Sequence, residues 1–290
     1  VQHGHSSCGP TSRSHEVSVP RNPDFLIIGA MKAGTTSLFR WLGRLEDVEL
    51  PATKEIHFFF DEERWSKGMG WYQSFFDDDA TVTGEASPGY TDPDRAALCA
   101  SRILDTLPDV RLIFLARNPI DRLRSHYRHW VQRGRERRPF PEAATVGSTY
   151  VTRSMYWRSL QPYLERFTDD QLLIVRFDDL IEDGGAWESI LSHLGLPPHP
   201  RPTDNQNPTE ALRGYSKLFD RLATGGALAR LEFLPRPLKR AGAKLMTSDS
   251  RRYQELIASS RDDVAVQVQE ELWNDIAKLE AELGTTLWHR

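Results

Sequence analysis

The chain has 290 residues with 39% hydrophobic, 10% aromatic and 27% charged side chains, a balance that excludes wholesale disorder, collagen-like repeats and coiled coil. At roughly 150 residues per domain it holds one large or two small domains and can bury a core without staples. Its 37 basic and 41 acidic residues leave a net charge of −4, so no global field commits it to nucleic acid or to an anionic membrane surface.

Residues 1–20 are polar and lack an apolar signal-type run, so residues 1–21 read as a mobile tail and the protein as cytoplasmic. After Asn22-Pro23, the run Phe25 to Ile28 has the length and type of a buried parallel strand. The longest strongly apolar stretch, Phe25 to Met31, is far below the roughly 18 residues of a membrane span. Leu38, Trp41, Leu42 and Leu45 follow at helical spacing, so the first unit is strand, glycine-bearing loop, helix. Further strands are expected at 82–84, 111–116 and 171–176, and helices at 95–107, 119–133, 160–167, 186–194 and 263–283. Pro119 suits a first helical turn. The alternation implies an α/β, P-loop-like three-layer fold whose central parallel sheet is flanked by helices, with ligands beyond the carboxyl ends of the strands. Residues 22–290 read as one domain with a helical C-terminal part, and 60–80, 134–150 and 200–250 as loops. The basic-apolar segment 228–245 reads as a mobile acceptor-side element. Cys8 and Cys99 have no CxxC partner, which supports neither a disulfide framework nor a zinc site.

The loop Gly29-Ala-Met-Lys-Ala-Gly-Thr-Thr-Ser37 puts small residues where a backbone must approach a ligand, then opens a helix whose free N–H groups favour negative charge. Thr35, Thr36 and Ser37 offer hydroxyls, and Lys32 offers a mobile ammonium. A triphosphate-binding loop would carry lysine directly after the second glycine, where Thr35 stands. It would also want an acid at a nearby strand end to hold Mg²⁺, and the strand at 111–116 is followed by Arg117. These departures point to an anion neutralised by protein cations alone, with no metal. Residues 111–138 hold nine arginines against Asp121 and Glu136, and Arg117 with Ser125 could fork onto one phosphate monoester. The arginines from 133 to 138 read as a solvated face, and nucleic-acid binding is disfavoured because few aromatics alternate with them.

Together these segments resemble the sulfotransferases that use 3′-phosphoadenosine-5′-phosphosulfate (PAPS), most of all the bacterial and Golgi carbohydrate-type branch with its heparan sulfate enzymes. GAMKAGTTSL is similar to that family's 5′-phosphosulfate loop and RLIFLARNPIDRLRSHY to its 3′-phosphate element. TKEIHFF at 53–59, GEASPGY at 84–90, QLLIVRFDDLIED at 171–183 and the closing LGTTLWHR extend the likeness over about residues 22–290. The resemblance implies that Lys32 contacts the bridging oxygen. It further implies that Ala33, Gly34, Thr35, Thr36 and Ser37 surround the 5′-phosphate, and that Arg117 and Ser125 hold the 3′-phosphate. Glu55 matches the catalytic base of the heparan branch, and Ser154 and Tyr156 fall where the family has a loop near nucleotide and acceptor. The branch's E-K-[ST]-P motif departs here, with Ala86 after Glu85.

Sulfuryl transfer moves charge onto the leaving phosphate, so it needs in-line positioning, a cation at the leaving oxygen and a base on the acceptor. The expectation is that Glu55 takes the proton of a carbohydrate, glycolipid or small-molecule hydroxyl, or of an amine, while Lys32 stabilises the departing adenosine 3′,5′-bisphosphate. His57 is the reserve base, on the same face as Glu55 if the stretch is extended; a buried structural histidine is the other reading. Phe58, Phe59, Trp65, Trp71 and Tyr72 either line a sugar-stacking cleft or pack in the core. The competing readings are a metal-dependent P-loop phosphotransferase, whose rate a chelator would abolish, and a non-catalytic nucleotide-binding module.

Overall fold

The structure is a computed structural model that describes residues 21–76, 81–182, 184–203 and 251–289. The expected tail and the segment 228–245 lie outside the described residues. Strand β1 (Phe25–Gly29) is buried at every position, as an apolar run in the middle of a parallel sheet must be. It leads through the anion loop into α1 (Thr35–Leu42). A two-residue strand β2 (Val48–Glu49), helices α2 (Glu62–Trp65) and α3 (Gly68–Gln73), and β3 (Val82–Ala86) follow. A 3₁₀ turn (Pro88–Thr91) and α4 (Ala96–Thr106) lead to β4 (Arg111–Ala116). Then come α5 (Pro119–Gln132), α6 (Phe140–Ala143), α7 (Thr149–Thr152) and α8 (Tyr156–Leu164). Strand β5 (Leu172–Arg176), α9 (Phe177–Ile181), α10 (Ala186–His193), α11 (Arg251–Ser259) and α12 (Val266–Leu283) complete the described chain.

The five strands form one parallel sheet in the order β2-β3-β1-β4-β5. β1 therefore has β3 on one side and β4 on the other, which brings the loops after β1, β3 and β4 to one edge of the sheet, where such folds bind ligands. Four strands lie where the apolar runs put them; β2 was not expected because two residues carry no periodicity. The expected loops 60–80 and 134–150 instead contain α2, α3, α6 and α7, helices too short for a pattern of their own to show.

Helix α5 starts as Pro119 implies, with the Asn118 side chain accepting from the N–H groups of Ile120 and Asp121. Helix α8 starts four residues before the expected Leu160. The reason is tertiary: Asp275, on α12, accepts the N–H groups of Trp157 (2.8 Å) and Arg158 (3.1 Å), capping α8 from a distant helix. The C-terminal helices are packed onto the body. Leu256 of α11 and Val268 and Leu272 of α12 share a second apolar cluster with Leu123, Tyr127 and Phe140, beside the main core around the sheet. No helix among the described residues is long and apolar enough to cross a membrane.

Candidate active site

The anion loop bends where residue type allows it least. Lys32 has φ 73°, Glu55 φ 66° and His57 φ 54°, the three described non-glycine residues in the left-handed region. Each such residue costs on the order of 1–3 kcal/mol and persists only where its surroundings over-determine it. Gly34, at φ 91°, caps α1. A Cβ there would also clash with the Phe177 ring, so glycine is required twice over.

Ala33 is buried and its N–H closes a turn on the Ala30 carbonyl at 3.0 Å. The N–H groups of Ser37 and Leu38 both turn back to Gly34 O. Those of Gly34, Thr35 and Thr36 have no backbone acceptor among the described residues, leaving a row of donors at the mouth of α1. Arg122, fully buried on α5, ties this loop down. Its guanidinium donates to Met31 O (3.0 Å), Tyr150 O (3.1 Å) and Ser154 Oγ (2.8 Å), and reaches Nδ1 of His126 at 3.2 Å. Burial lowers its pKa to about 10 and pushes that of His126 far down, so the imidazole is neutral and can accept.

Lys32 Nζ lies 3.4 Å from His129 Nδ1 on α5. Burial first, then the charges of Arg133, Arg117 and Arg122, lower the Lys32 pKa to about 8, while Glu55 raises it. Burial and Lys32 lower His129 to about 4, so it is a neutral acceptor for the ammonium. Lys32, Glu55, Arg117, Arg133 and His129 thus share one electrostatic neighbourhood, although they come from four separate segments.

Glu55 and His57 are not extended, contrary to the alternation considered from sequence. Their positive φ values make a turn, and this turn rather than a strand face brings His57 Nε2 to 3.5 Å from Glu55 Oε2. Lys54 Nζ holds Oε1 at 2.9 Å. The His57 hydrogen bond and the Lys54 ammonium together hold the carboxyl down to about 2 against the opposing effect of burial. Among the described residues the buried His57 Nδ1 has no partner, and the ring faces Glu55 with Nε2.

Arg117 leaves β4 with its guanidinium over the Phe177 ring, 5.3 Å from the centroid. Tyr156 is fully buried, donating its hydroxyl to Arg117 O (2.7 Å) and accepting from Arg117 N (3.3 Å). Its hydroxyl is thus committed to the backbone of Arg117, while the ring lines a small pocket with Met31 and Arg122. Ser125 is half-buried on α5. Its helical neighbour Arg128 donates to Ser260 Oγ at 2.7 Å, and burial with the charges of Arg124, Arg261 and Arg117 lowers its pKa. Ser125 is thus flanked by converging cations.

Sequence reasoning missed His129, Phe177 and Arg128. The first and last were hidden in an arginine-rich run, and Phe177 carries no chemistry of its own. The aromatic group is core, not cleft: Phe58, Phe59 and Tyr72 are fully buried, with Phe58 and Tyr72 stacked at 4.5 Å. Trp65 and Trp71 pack against them. A cavity of about 680 Å³ instead lies beside the end of α5, lined by His126, Trp130, Tyr150, Arg135, Arg137 and Arg138. Among the described residues no group of three or more His, Cys, Asp or Glu side chains is arranged to hold a metal ion.

A five-stranded parallel sheet with a glycine-bearing loop after β1 and a cation at the end of β4 defines an α/β protein of P-loop-like architecture. Residues 22–209 match the sulfotransferase domain family, and the chain belongs to it. It is 31% identical over 196 residues to heparan sulfate glucosamine 3-O-sulfotransferase 5 of Mus musculus, a match covering 62% of this chain and 55% of that protein. It is 29% identical over 211 residues to bifunctional heparan sulfate N-deacetylase/N-sulfotransferase 4 of the same species, covering 64% of this chain and 24% of that protein. The chain therefore spans about half of one relative and a quarter of the other. A solved sulfotransferase from Alicyclobacillus acidocaldarius shares the fold, with a TM-score of 0.60 and 22% identity over 92% of this chain and 98% of that one.

Proposed function

We propose that the protein transfers a sulfuryl group from PAPS to a hydroxyl of a carbohydrate acceptor and releases adenosine 3′,5′-bisphosphate. The observation that carries this reading is the convergence of Lys32, Arg117 and Glu55 at the mouth of α1, where free N–H groups meet a surplus of positive charge. Gly34, Thr35, Thr36 and Ser37 would receive the 5′-phosphate, and Arg117, Ser125 and the neighbouring Arg128 the 3′-phosphate. Donors held in place before the substrate arrives need no reorganisation when charge develops on the leaving oxygen, and Lys32 supplies the mobile cation for it.

Glu55 is the base. With Lys54 on one oxygen and His57 on the other it is too weakly basic to be effective, so the acceptor hydroxyl takes the place of Lys54 at Oε1. Removing that ammonium raises the basicity of the carboxylate toward a useful range as the proton arrives. His57 orients the carboxylate through Oε2. A carbohydrate acceptor is supported by the heparan sulfate specificity in the names of the relatives and by the cavity at the end of α5, where Trp130 offers a stacking face among arginines.

The test pairs calorimetry with transfer from labelled PAPS to an acceptor panel that includes heparosan and desulfated heparin. Glu55→Gln is expected to bind bisphosphate nearly as the parent does and to transfer nothing. Arg117→Ala is expected to lose binding first, by roughly ten- to a hundredfold, the worth of a charge-assisted bond. Normal turnover by Glu55→Gln would remove the base assignment. Bisphosphate uptake by the parent with no transfer to any acceptor would favour the non-catalytic module, and a rate abolished by EDTA would favour a phosphotransferase.

A further inference from the structure

The segment Glu85-Ala86-Ser87 lies at the carboxyl end of β3 and has no part in the chemistry above, yet it holds the turn that carries the base. Glu85 is fully buried. Its Oε1 accepts the hydroxyls of Tyr72 (3.0 Å) and Tyr90 (2.6 Å), and its Oε2 accepts that of Ser87 (2.6 Å). Each hydroxyl has one proton and directs it at the carboxylate, so Ser87 Oγ keeps only lone pairs for other partners. One of these accepts the backbone N–H of His57 at 3.0 Å. Next to it, Ala86 O accepts the N–H of Glu55 at 3.1 Å. Both N–H groups of the positive-φ pair Glu55 and His57 thus end on this segment. The ring of His57 is packed from the same side, because a Cβ on Gly89 would meet it at 3.3 Å.

Resting on the reading of Glu55 as general base, we propose that the buried Glu85–Ser87 relay is a positioning device: by polarising Ser87 it fixes the His57 backbone, and His57 in turn orients Glu55. Glu85 and Ser87 are positioning residues, and neither meets the acceptor. The charged and titratable groups that face Glu55 are Lys54 and His57 of its own segment, Lys32 of the anion loop and His129 of α5. Arg64 of α2 donates to the carbonyls of Glu55 and Ile56, holding the other side of the turn. Of these, His57 alone hangs on Ser87, so removing the Ser87 hydroxyl moves one neighbour and leaves the rest.

The experiment uses the ligand-free full chain, labelled for nuclear magnetic resonance, so it needs no acceptor. In Ser87→Ala the amide of His57 is expected to exchange about tenfold faster or more, as for a bond opened locally. The Glu55 carboxyl titration should rise by about half a pH unit or more, toward the ordinary range. Ser87→Thr, which keeps the hydroxyl, should restore both. Bisphosphate affinity in Ser87→Ala should stay within about twofold of the parent, showing an intact anion loop. Glu85→Gln, which cannot receive all three hydroxyl protons, should behave like Ser87→Ala. The relay is overturned if Ser87→Ala leaves the His57 amide and the Glu55 midpoint where they are, or if Ser87→Thr moves them as far as Ala does. Those results stand apart from the transfer assay of Glu55→Gln, whose full activity would discard the base assignment and not the relay.

Discussion

Lys32 keeps its charge in surroundings that resist it. Burial and three arginines bring its pKa to about 8, and the function proposed for it requires the protonated form. In the free protein that form is lost as pH rises through 8, so kcat/KM should fall above this value. Bound bisphosphate opposes the loss with its own negative charge, so the limb in kcat should lie higher. A pH–rate profile flat in kcat/KM to pH 9.5 would take Lys32 out of the reaction. Lys32, Glu55 and Arg117 could be picked out from residue type and motif. Their neighbours could not: His129 is 97 positions from Lys32, and what makes it an acceptor is burial, a quantity that no local stretch of chain encodes. The same holds for Tyr156, whose hydroxyl is committed to the backbone of Arg117, 39 positions away.

At the level of elements, the units with a long apolar pattern and a local start signal were legible, as β1 and α5 illustrate. Those begun by a distant side chain were not. Helix α8 opens where Asp275 of α12 supplies the cap, and Asp275→Ala should cost about 1 kcal/mol, the usual worth of an N-cap. In a chain of this size that is a fall of roughly 1–2 °C in Tm. Burial raises the Asp275 pKa from 3.8 to about 6, so the folded protein holds this proton more tightly than the unfolded chain. That contribution is full below 3.8 and is lost as pH rises through 6, so the margin of the parent over Asp275→Ala should be wider at low pH. Thermal scans at pH 4.5 and pH 7.5 check this, and a margin that widens with pH would contradict it.

Across the whole molecule, the positive charge is local on a chain of net charge −4. The charge of Arg117 opposes the charged forms of both Lys32 and Arg128, and an anionic ligand relieves that repulsion. Adenosine 3′,5′-bisphosphate at about a hundred times its Kd should therefore stabilise the fold by about 2.7 kcal/mol, a rise of roughly 4–5 °C in Tm. The gain should shrink in added salt as the charges are screened. A Tm that does not respond to the bisphosphate would count against the two-ended phosphate site.

The order of residues along the chain already contained the layered α/β fold and the glycine-bearing loop after its first strand, with Lys32 inside it. These follow from periodicity, glycine placement and local capping, which act over a few residues. Folding alone decided which groups tune that site: the neutral histidine against Lys32, the tyrosine behind Arg117, the buried carboxylate beneath the turn of Glu55 and His57. Desolvation and hydrogen bonding between remote segments exist only once the sheet has brought the ends of β1, β3 and β4 together.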